Sequence, residues 1–286
     1  MIMDYSSLFI ILSAVLWGTT GTSQAFLSAS IPPLVVASLR MIIGGSFLFV
    51  ISFLDKESTI RDLNNKKSII ISSVCISLYQ PFFFIGVSRL GVALGTILAI
   101  SSAPVFSGLI NKIFKIKNTK QWIFATTISI IGCIFIFYDN DQSHIDNLGV
   151  FSALSAGLSY SLFVFNSKKA YSKNSRIKTN GIIFFFGAIC LSPFLFIFKG
   201  SYQLETSDLL PLLHLGIIAT SLSYTLFSVG IKKVSAEKAV TYTLAEPLTA
   251  SLLGILLLKE TYNTKILIGV ILIFIGLVIN NIKKQI

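Results

Sequence analysis

Charged residues are scarce in this chain: Asp, Glu, Lys and Arg together make up 12% of its 286 residues. Soluble domains carry roughly 25% charged residues. Hydrophobic residues reach 53% here, and the mean hydropathy is +0.81. The composition therefore excludes an ordinary soluble domain and predicts an integral membrane protein.

Cysteine and histidine are also rare, with three and two residues respectively. The cysteines lie inside apolar segments without a CxxC pair, and neither histidine has a partner at ligand spacing. Disulfide frameworks need paired cysteines and metal sites need clustered ligands, so we expect no disulfide, no metal and no cofactor. The net charge of +11 is dispersed between apolar segments, which argues against a nucleic-acid partner.

Long apolar runs are abundant instead. A helix that crosses a bilayer core needs about 20 apolar residues, and runs of that length occur ten times. The longest connections between them hold only about a dozen residues, too few for a soluble catalytic unit. The predicted spans are 7–29, 33–54, 68–87, 92–113, 121–138, 148–166, 179–198, 209–231, 239–258 and 264–282.

The connections between these spans are alternately rich and poor in lysine and arginine. Of the 23 basic residues, 18 fall in every second connection and in the C-terminal tail, four fall in the others, and Arg40 lies within a span. Basic residues favour the cytoplasmic ends of membrane spans. We therefore expect a multi-pass protein of the cytoplasmic membrane with both termini in the cytoplasm.

The two halves of the chain resemble each other at a nearly constant offset of 142–144 residues. For example, Gly86 matches Gly230 and Pro104 matches Pro247. Five spans per half is an odd number, so the second half must cross the membrane upside down, as in many secondary transporters. The sequence predicts an all-α membrane protein of ten transmembrane helices, arranged as two inverted five-helix repeats around a central cavity, with repeats at 1–140 and 141–286.

Glu246 and Pro247 lie in the middle of the ninth span. A carboxylate at that depth costs on the order of 3 kcal/mol unless it is paired, protonated or facing water. Tyr242 and Thr249 share its helical face by spacing. We predict that Glu246 lines a substrate cavity; the alternative is a neutral carboxyl that is hydrogen-bonded within the bundle. Because proline removes a backbone donor, Pro104 and Pro247 are predicted hinges or helix breaks.

Arg40 is the other formal charge well inside a span. At 1.5 Å per residue, its distance from one membrane boundary is similar to the distance of Glu246 from the other. In a core about 30 Å thick, the two side chains are expected at similar depths. The alternative is a structural arginine that donates to backbone carbonyls.

Aromatic and amide side chains complete the predicted site. Ser13, Trp17, Thr20 and Gln24 form one polar stripe along the first span, for which interhelical hydrogen bonding is the alternative. Tyrosines can hold an ammonium group by cation–π attraction or stack on an aromatic ring. The phenylalanine runs at 82–84 and 184–186 are expected to face lipid or to pack. The predicted substrate-binding residues are Trp17, Gln24, Arg40, Tyr79, Gln80, Tyr160, Tyr224, Tyr242 and Glu246.

Several short motifs have a familiar arrangement. They are Leu16-Trp17-Gly18, Leu39-Arg40 followed by Gly44-Gly45, the paired Pro104 and Pro247, and Leu257-Leu258-Lys259-Glu260. With these motifs the chain resembles the EamA family of the drug/metabolite transporter superfamily over essentially its whole length. The resemblance implies a ten-helix, two-repeat transporter with cytoplasmic termini that moves small metabolites by alternating access. Lys115 and Lys117 depart from the family pattern, which has an acid after the fourth helix.

The sequence favours a secondary carrier over two other classes. A membrane-embedded enzyme would need paired acids or a nucleophile with a base, and the spans hold one deep carboxylate. The inverted repeat disfavours a channel or a structural subunit. We expect an exporter of amino acids or related compounds; the alternative is an uptake carrier for a cationic or nucleoside-type metabolite. The expected partners are a small-molecule substrate, the lipid bilayer and protons as a candidate coupling ion, while the oligomeric state stays open.

Overall fold

The structure is a computed structural model that describes residues 5–54, 63–90, 92–137, 146–172, 174–257 and 264–281, with the backbone alone at 92–94 and 97. All regular secondary structure within these ranges is helical. The prediction of an all-α membrane fold is therefore confirmed. The predicted boundary between the repeats, at residues 140 and 141, lies outside the described residues.

The helices follow the predicted spans closely. The first half contains α1 (Tyr5–Ala25), α2 (Pro33–Ser52), α3 (Lys66–Leu90), α4 (Val92–Ile113) and α5 (Lys120–Phe137). The second half contains α6 (Asn147–Tyr171), α7 (Arg176–Leu191), α8 (Pro193–Ile197), a 3₁₀ turn (Thr206–Asp208), α9 (Leu209–Leu213), a π-helical segment (His214–Leu222), α10 (Ser223–Ile231), α11 (Ala236–Tyr242), α12 (Ala245–Leu256) and α13 (Thr264–Asn281).

Eight stretches of the described chain are long and apolar enough to cross a membrane. The helices α4 and α5 add shorter apolar stretches, Leu98–Ile113 and Lys120–Phe135. Each of the ten predicted spans thus has a helical counterpart. Some helices extend beyond the apolar run, as α3 does at Lys66, because lysine favours helix and places its ammonium group in the interface.

Three of the predicted spans are not continuous α-helices. The seventh is divided at Ser192, directly before Pro193, and the eighth contains the π-helical segment. The ninth is interrupted at Thr243 and Leu244, between α11 and α12. Interrupted helices are expected where side chains and carbonyls line a cavity.

The two halves pack on each other through pairs of helices. Each contact recurs when both helices are replaced by their counterparts in the other repeat. The contact of α3 with α6 has its counterpart in the contact of α10 with α1, and the contact of α4 with α6 has its counterpart in that of α12 with α1. The contacts α2–α7 and α5–α13 join equivalent helices. The core of the protein is therefore built between the halves rather than within each of them.

The matched glycines Gly86 and Gly230 lie at equivalent helix crossings. A Cβ atom at Gly86 would lie 3.0 Å from Ala153 of α6, and one at Gly230 would overlap the Ser6 carbonyl oxygen of α1. Residues without a side chain let membrane helices approach closely. The sequence match between the repeats therefore reflects a shared packing requirement.

Candidate functional site

A cavity of about 250 Å³ lies between the two halves and receives side chains from both. Eight of the nine predicted binding residues line it. They are Trp17, Gln24, Arg40, Tyr79, Gln80, Tyr160, Tyr224 and Glu246. These residues are far apart in the sequence, and the inverted packing of the halves brings them together.

Tyr242, the ninth predicted residue, does not line this cavity. Its side chain is buried, and its hydroxyl lies 3.3 Å from the Asn280 carbonyl oxygen, from Asn281 Oδ1 and from Ser7 Oγ. The prediction assumed an unbroken helix through Glu246. The interruption after Tyr242 changes the helical phase, so the two side chains do not share a face.

The break that precedes Glu246 has a simple backbone cause. Pro247 has no N–H and cannot donate to the Thr243 carbonyl one turn earlier. That carbonyl instead accepts a hydrogen bond from the Glu246 N–H at 2.9 Å, and the Leu244 N–H bonds to the Thr241 carbonyl at 3.1 Å. The chain tightens into three-residue turns here, which presents Glu246 at the first turn of α12. Its side chain is half-buried because one side faces the cavity.

Pro104, the repeat counterpart of Pro247, lies inside α4, and α4 continues through it without a break. The preceding carbonyl, that of Ala103, accepts a hydrogen bond from Ser161 Oγ of α6 at 2.6 Å. The predicted helix break at this residue is therefore absent in this conformation. A hinge role for Pro104 stays a prediction.

Arg40 is held at the cavity wall by the π-helical segment. It is 8% exposed, and its Nε donates to Thr220 Oγ1 at 3.3 Å. Thr220 Oγ1 itself donates to the Leu215 carbonyl, five residues earlier, at 2.8 Å. Widened turns of this kind occur frequently at functional sites. The sequence offered no signal for the π-helical segment, because no apolar period distinguishes it from an α-helix.

Arg40 and Glu246 are the two formal charges that line the cavity. Within the described residues, the ion pair that forms is Arg89 with Asp146 at the surface, at 3.0 Å. Arg40 of α2 and Glu246 of α12 form no ion pair with each other. The lining of the cavity therefore contains one basic and one acidic side chain that are not joined directly.

Aromatic rings form the floor of the cavity. Trp17 packs on Tyr224 with ring centroids 4.8 Å apart and meets Tyr160 edge-on at 6.2 Å. Tyr79 lies 5.6 Å from Tyr160. The Trp17 indole N–H donates to Ser223 Oγ at 2.8 Å, which fixes the ring. The prediction of an aromatic site thus describes one connected cluster drawn from both halves.

Tyr160 lines the cavity, while its hydroxyl oxygen is buried. The hydroxyl has no hydrogen-bond partner among the described residues. An unsatisfied buried hydroxyl costs about 1–3 kcal/mol.

The cavity extends from the middle of the bundle toward one membrane face. Gln24 near the end of α1, Val87 near the end of α3 and Thr96 near the start of α4 line its outer part. All three helix ends lie at the face opposite the one where α1 begins. At the other end, the lining stops at the aromatic floor and at Thr243.

Two phenylalanines that were expected to face lipid or to pack also line the cavity. Phe83 packs on Tyr79 and on Phe84, with ring centroids 5.7 Å and 5.6 Å apart, and both phenylalanines contribute to the cavity lining. Phe184 is fully buried and packs on Tyr224 at 4.3 Å, as expected. In the polar stripe of α1, Ser13 turns away and donates to the Phe9 carbonyl at 2.7 Å. Helical spacing predicts which residues share one face of a helix. It does not predict how many residues of that face reach the cavity.

A helical membrane fold with two repeats around a cavity is an arrangement that many membrane transporters share. The chain belongs to the EamA-like transporter family, whose model matches residues 5–138 and 147–282. The family resemblance read from the motifs is confirmed.

The chain is also similar to individual transporters. A Bacillus subtilis (strain 168) protein described as the uncharacterized transporter YwfM is 36% identical, covering 96% of this chain and 92% of that protein. A Salmonella typhimurium protein described as the uncharacterized inner membrane transporter YicL is 23% identical over 96% of this chain and 95% of its own. The chain is also similar to one protein of known crystal structure, with a TM-score of 0.82 and 15% sequence identity over 98% of each chain. This similarity concerns the fold.

Proposed function

We propose that this membrane transporter is a secondary carrier that exports amino acids or related zwitterions across the cytoplasmic membrane by alternating access. The observation that carries the proposal is that Arg40 of α2 and Glu246 of α12 both line one cavity without forming an ion pair. A free α-amino acid carries a carboxylate and an ammonium group on the same carbon atom. It would pair with both residues at once and compensate two charges that are otherwise costly at this depth.

Recognition would be divided among the walls. The Arg40 guanidinium is suited to bind a carboxylate with two parallel hydrogen bonds. Glu246, together with the faces of Tyr79 and Tyr224, would hold the ammonium by charge and cation–π attraction. The volume of about 250 Å³ is below the range of roughly 300–1,000 Å³ found for drug-sized ligands, which supports a small metabolite.

Alternating access would require the aromatic floor to open. The 18-to-4 distribution of basic residues supports cytoplasmic termini. With that orientation the cavity described here would face outward, and the cluster of Trp17, Tyr160 and Tyr224 would close the path to the cytoplasm. Export would then require an inward-facing state in which the contacts of Trp17 with α10 are broken.

The alternative is an uptake carrier for a cationic or nucleoside-type metabolite. The same tyrosines and Trp17 favour it, because aromatic faces hold organic cations and stack on bases. It gives no role to the Arg40 guanidinium. The two proposals therefore differ in whether the substrate needs a carboxylate.

A matched set of solutes would test this difference. The full chain would be reconstituted in proteoliposomes, and saturable counterflow would be measured for neutral amino acids, for the corresponding amines, for the corresponding carboxylic acids and for nucleosides. The proposal expects counterflow and thermal stabilisation for the zwitterions alone. Counterflow of the amines or of nucleosides in preference would support the uptake alternative, and no saturable counterflow in any class would contradict both.

A further inference from the structure

A second concave region lies on the outer surface of the bundle, between α4 and α5. This α4–α5 groove has a volume of about 640 Å³. None of its lining residues lines the central cavity. The groove is lined by Val105, Gly108, Leu109, Lys112, Lys115, Ile116, Lys117, Asn118, Trp122, Ile123, Thr126, Thr127 and Ile130.

The groove exists because its two helices pack on different partners. α4 packs mainly on α6, while α5 packs mainly on α13, so the two helices diverge. Trp122 forms a rigid floor between them, because its indole N–H lies 3.0 Å from the Glu237 carbonyl oxygen and 2.9 Å from Thr241 Oγ1. A Cβ atom at Gly108 would lie 2.7 Å from the Trp122 ring. The glycine therefore leaves room for the indole.

The groove has an apolar part and a basic end. Val105 and Leu109 on α4 and Ile123 on α5 are each about half exposed. From Ile123 to Ile130 the apolar wall extends roughly 10 Å along α5 at 1.5 Å per residue. Beyond it, where α4 ends and α5 begins, Lys112, Lys115 and Lys117 line the groove, and all three are exposed. Its lining contains no acidic residue.

We propose that the α4–α5 groove binds one anionic phospholipid, with the phosphate-bearing headgroup on the three lysines and the start of an acyl chain along Val105, Leu109 and Ile123. Two features support this assignment. The lysines complement the charge of the headgroup, and the basic end of the groove lies directly beside its apolar part. In a bilayer, a phospholipid places its phosphate in the interface and its chains directly below it. A small soluble anion would match the lysines but would leave the apolar wall unused.

The position of the groove agrees with this occupant. It lies at the face where α1 begins, the face on which the basic connections concentrate. Basic pockets between membrane helices on the cytoplasmic side bind anionic headgroups. The bound lipid would also cover the outer side of Trp122, whose inner side supports α11 through Glu237 and Thr241.

The test uses Trp122 as a reporter. The chain has two tryptophans, so Trp17→Phe leaves Trp122 as the fluorophore. This protein would be placed in phosphatidylcholine nanodiscs that contain a small fraction of brominated phosphatidylglycerol or, separately, of brominated phosphatidylcholine. Bromine on an acyl chain in the groove quenches Trp122. Since each lysine near a membrane surface contributes about a fivefold preference for anionic lipid, the anionic lipid should quench at a severalfold lower fraction.

Two variants and one matched control define the site. Lys112→Gln with Lys117→Gln should reduce the preference for the anionic lipid severalfold, because Lys115 is then the one lysine left in the groove. Lys232→Gln with Lys233→Gln removes the same amount of charge from exposed lysines of another connection. This control should keep the preference for the anionic lipid. Thr127→Phe places a ring in the groove and should reduce quenching by both lipids. Native mass spectrometry of the wild-type chain and the lysine variants gives a second readout that does not depend on Trp17→Phe.

Equal quenching by both lipids would overturn the proposal. A loss of preference that is the same in the control pair would also overturn it, because it would show a general surface charge effect. In a competition in which soluble glycerol phosphate is added before native mass spectrometry, its retention in place of phospholipid would assign the lysines to a free anion and would equally contradict a lipid site.

Discussion

Arg40 Nε donates to Thr220 Oγ1 at 3.3 Å, and this hydrogen bond joins α2 of the first half to the π-helical segment of the second. The bond engages the Nε group of a residue that also lines the cavity. The π-helical segment thus serves to position a charge at the interface of the repeats.

Replacing Arg40 tests whether its charge binds substrate. We expect Arg40→Ala to weaken transport about tenfold to a hundredfold, the equivalent of roughly 1.5–3 kcal/mol for hydrogen bonds to a charged group. Arg40→Lys should recover only part, because an ammonium does not reproduce the guanidinium fork. Concentration-dependent flux in proteoliposomes measures both, beside thermal unfolding in detergent.

Two further variants separate binding from folding. Thr220→Val removes the hydrogen-bond partner and keeps the shape, so it should cost less transport than Arg40→Ala. Arg89→Gln removes a charge that pairs with Asp146 at the surface and should leave substrate affinity unchanged. Unchanged flux in Arg40→Ala would remove this residue from the site, and loss of folded protein in both Arg40 variants would make it structural.

The orientation is a separate prediction that rests on the distribution of lysine and arginine. Tags at both ends of the chain should be cytoplasmic. A cysteine introduced between residues 139 and 147 should react with a membrane-impermeant thiol reagent that is added to intact cells. A loop that reacts only after permeabilisation would reverse the orientation and make the described cavity inward-facing.

Gly18 and Gly21 form a matched pair one turn apart on α1. A Cβ atom at Gly18 would lie 2.6 Å from Thr249 Cβ and 2.8 Å from the Glu246 carbonyl oxygen, whereas at Gly21 nothing lies within 4 Å. Overpacking costs about 1–3 kcal/mol, so Gly18→Ala should lower the free energy of unfolding by that amount. Gly21→Ala should be as stable as wild type or more so, because alanine favours helix. Equal melting temperatures for the two variants would show that α1 and α12 separate readily.

The helices and their order could be predicted from the sequence, whereas the shape of the cavity could not. Apolar length and basic flanks determine a span, because they reflect the transfer of whole segments into lipid. The placement of Tyr242 depended on the phase of the ninth span, which a few backbone hydrogen bonds near Pro247 change. The role of Thr220 depended on a π-helical segment that no residue pattern indicates. Local backbone geometry therefore determined which of the predicted residues line the cavity.

Asp146 gives a pH-dependent prediction outside the membrane spans. Its carboxylate accepts a hydrogen bond from the Gly149 N–H at 2.9 Å, which caps α6, and pairs with Arg89 at 3.0 Å. The Gly149 hydrogen bond, followed by that of Arg89, lowers the pKa of Asp146 below its ordinary value. The stabilisation is thus complete above the ordinary carboxyl pKa and is lost as the pH falls through the lowered pKa.

Asp146→Asn keeps a capping side chain and removes the titrating charge. The difference in melting temperature between wild type and Asp146→Asn should therefore be present near neutral pH and should shrink on acidification. Arg89→Gln should show the same trend with a smaller amplitude, since it leaves the cap intact. A difference that is constant with pH would show that Asp146 makes no charge-dependent contribution.

Glu246 supplies the sharpest test of the transport proposal. It is half-buried beside Pro247 and lines the same cavity as Arg40. A carboxyl in this position can bind the substrate ammonium, take up a proton, or do both in alternation, as coupling to protons requires. Glu246→Gln is nearly isosteric and uncharged, so the fold should be retained.

The two roles of Glu246 predict different results for this variant. If Glu246 carries the proton, flux driven by a pH gradient should be lost while counterflow between equal pH values persists. If it binds only the ammonium, Gln should weaken affinity about tenfold or more and leave the remaining pH response unchanged. Glu205→Gln, at an exposed acid outside the cavity, is the matched control and should behave as wild type. Wild-type flux, affinity and pH profile in Glu246→Gln would contradict both roles and leave Glu246 as a residue that lines the cavity without taking part in transport.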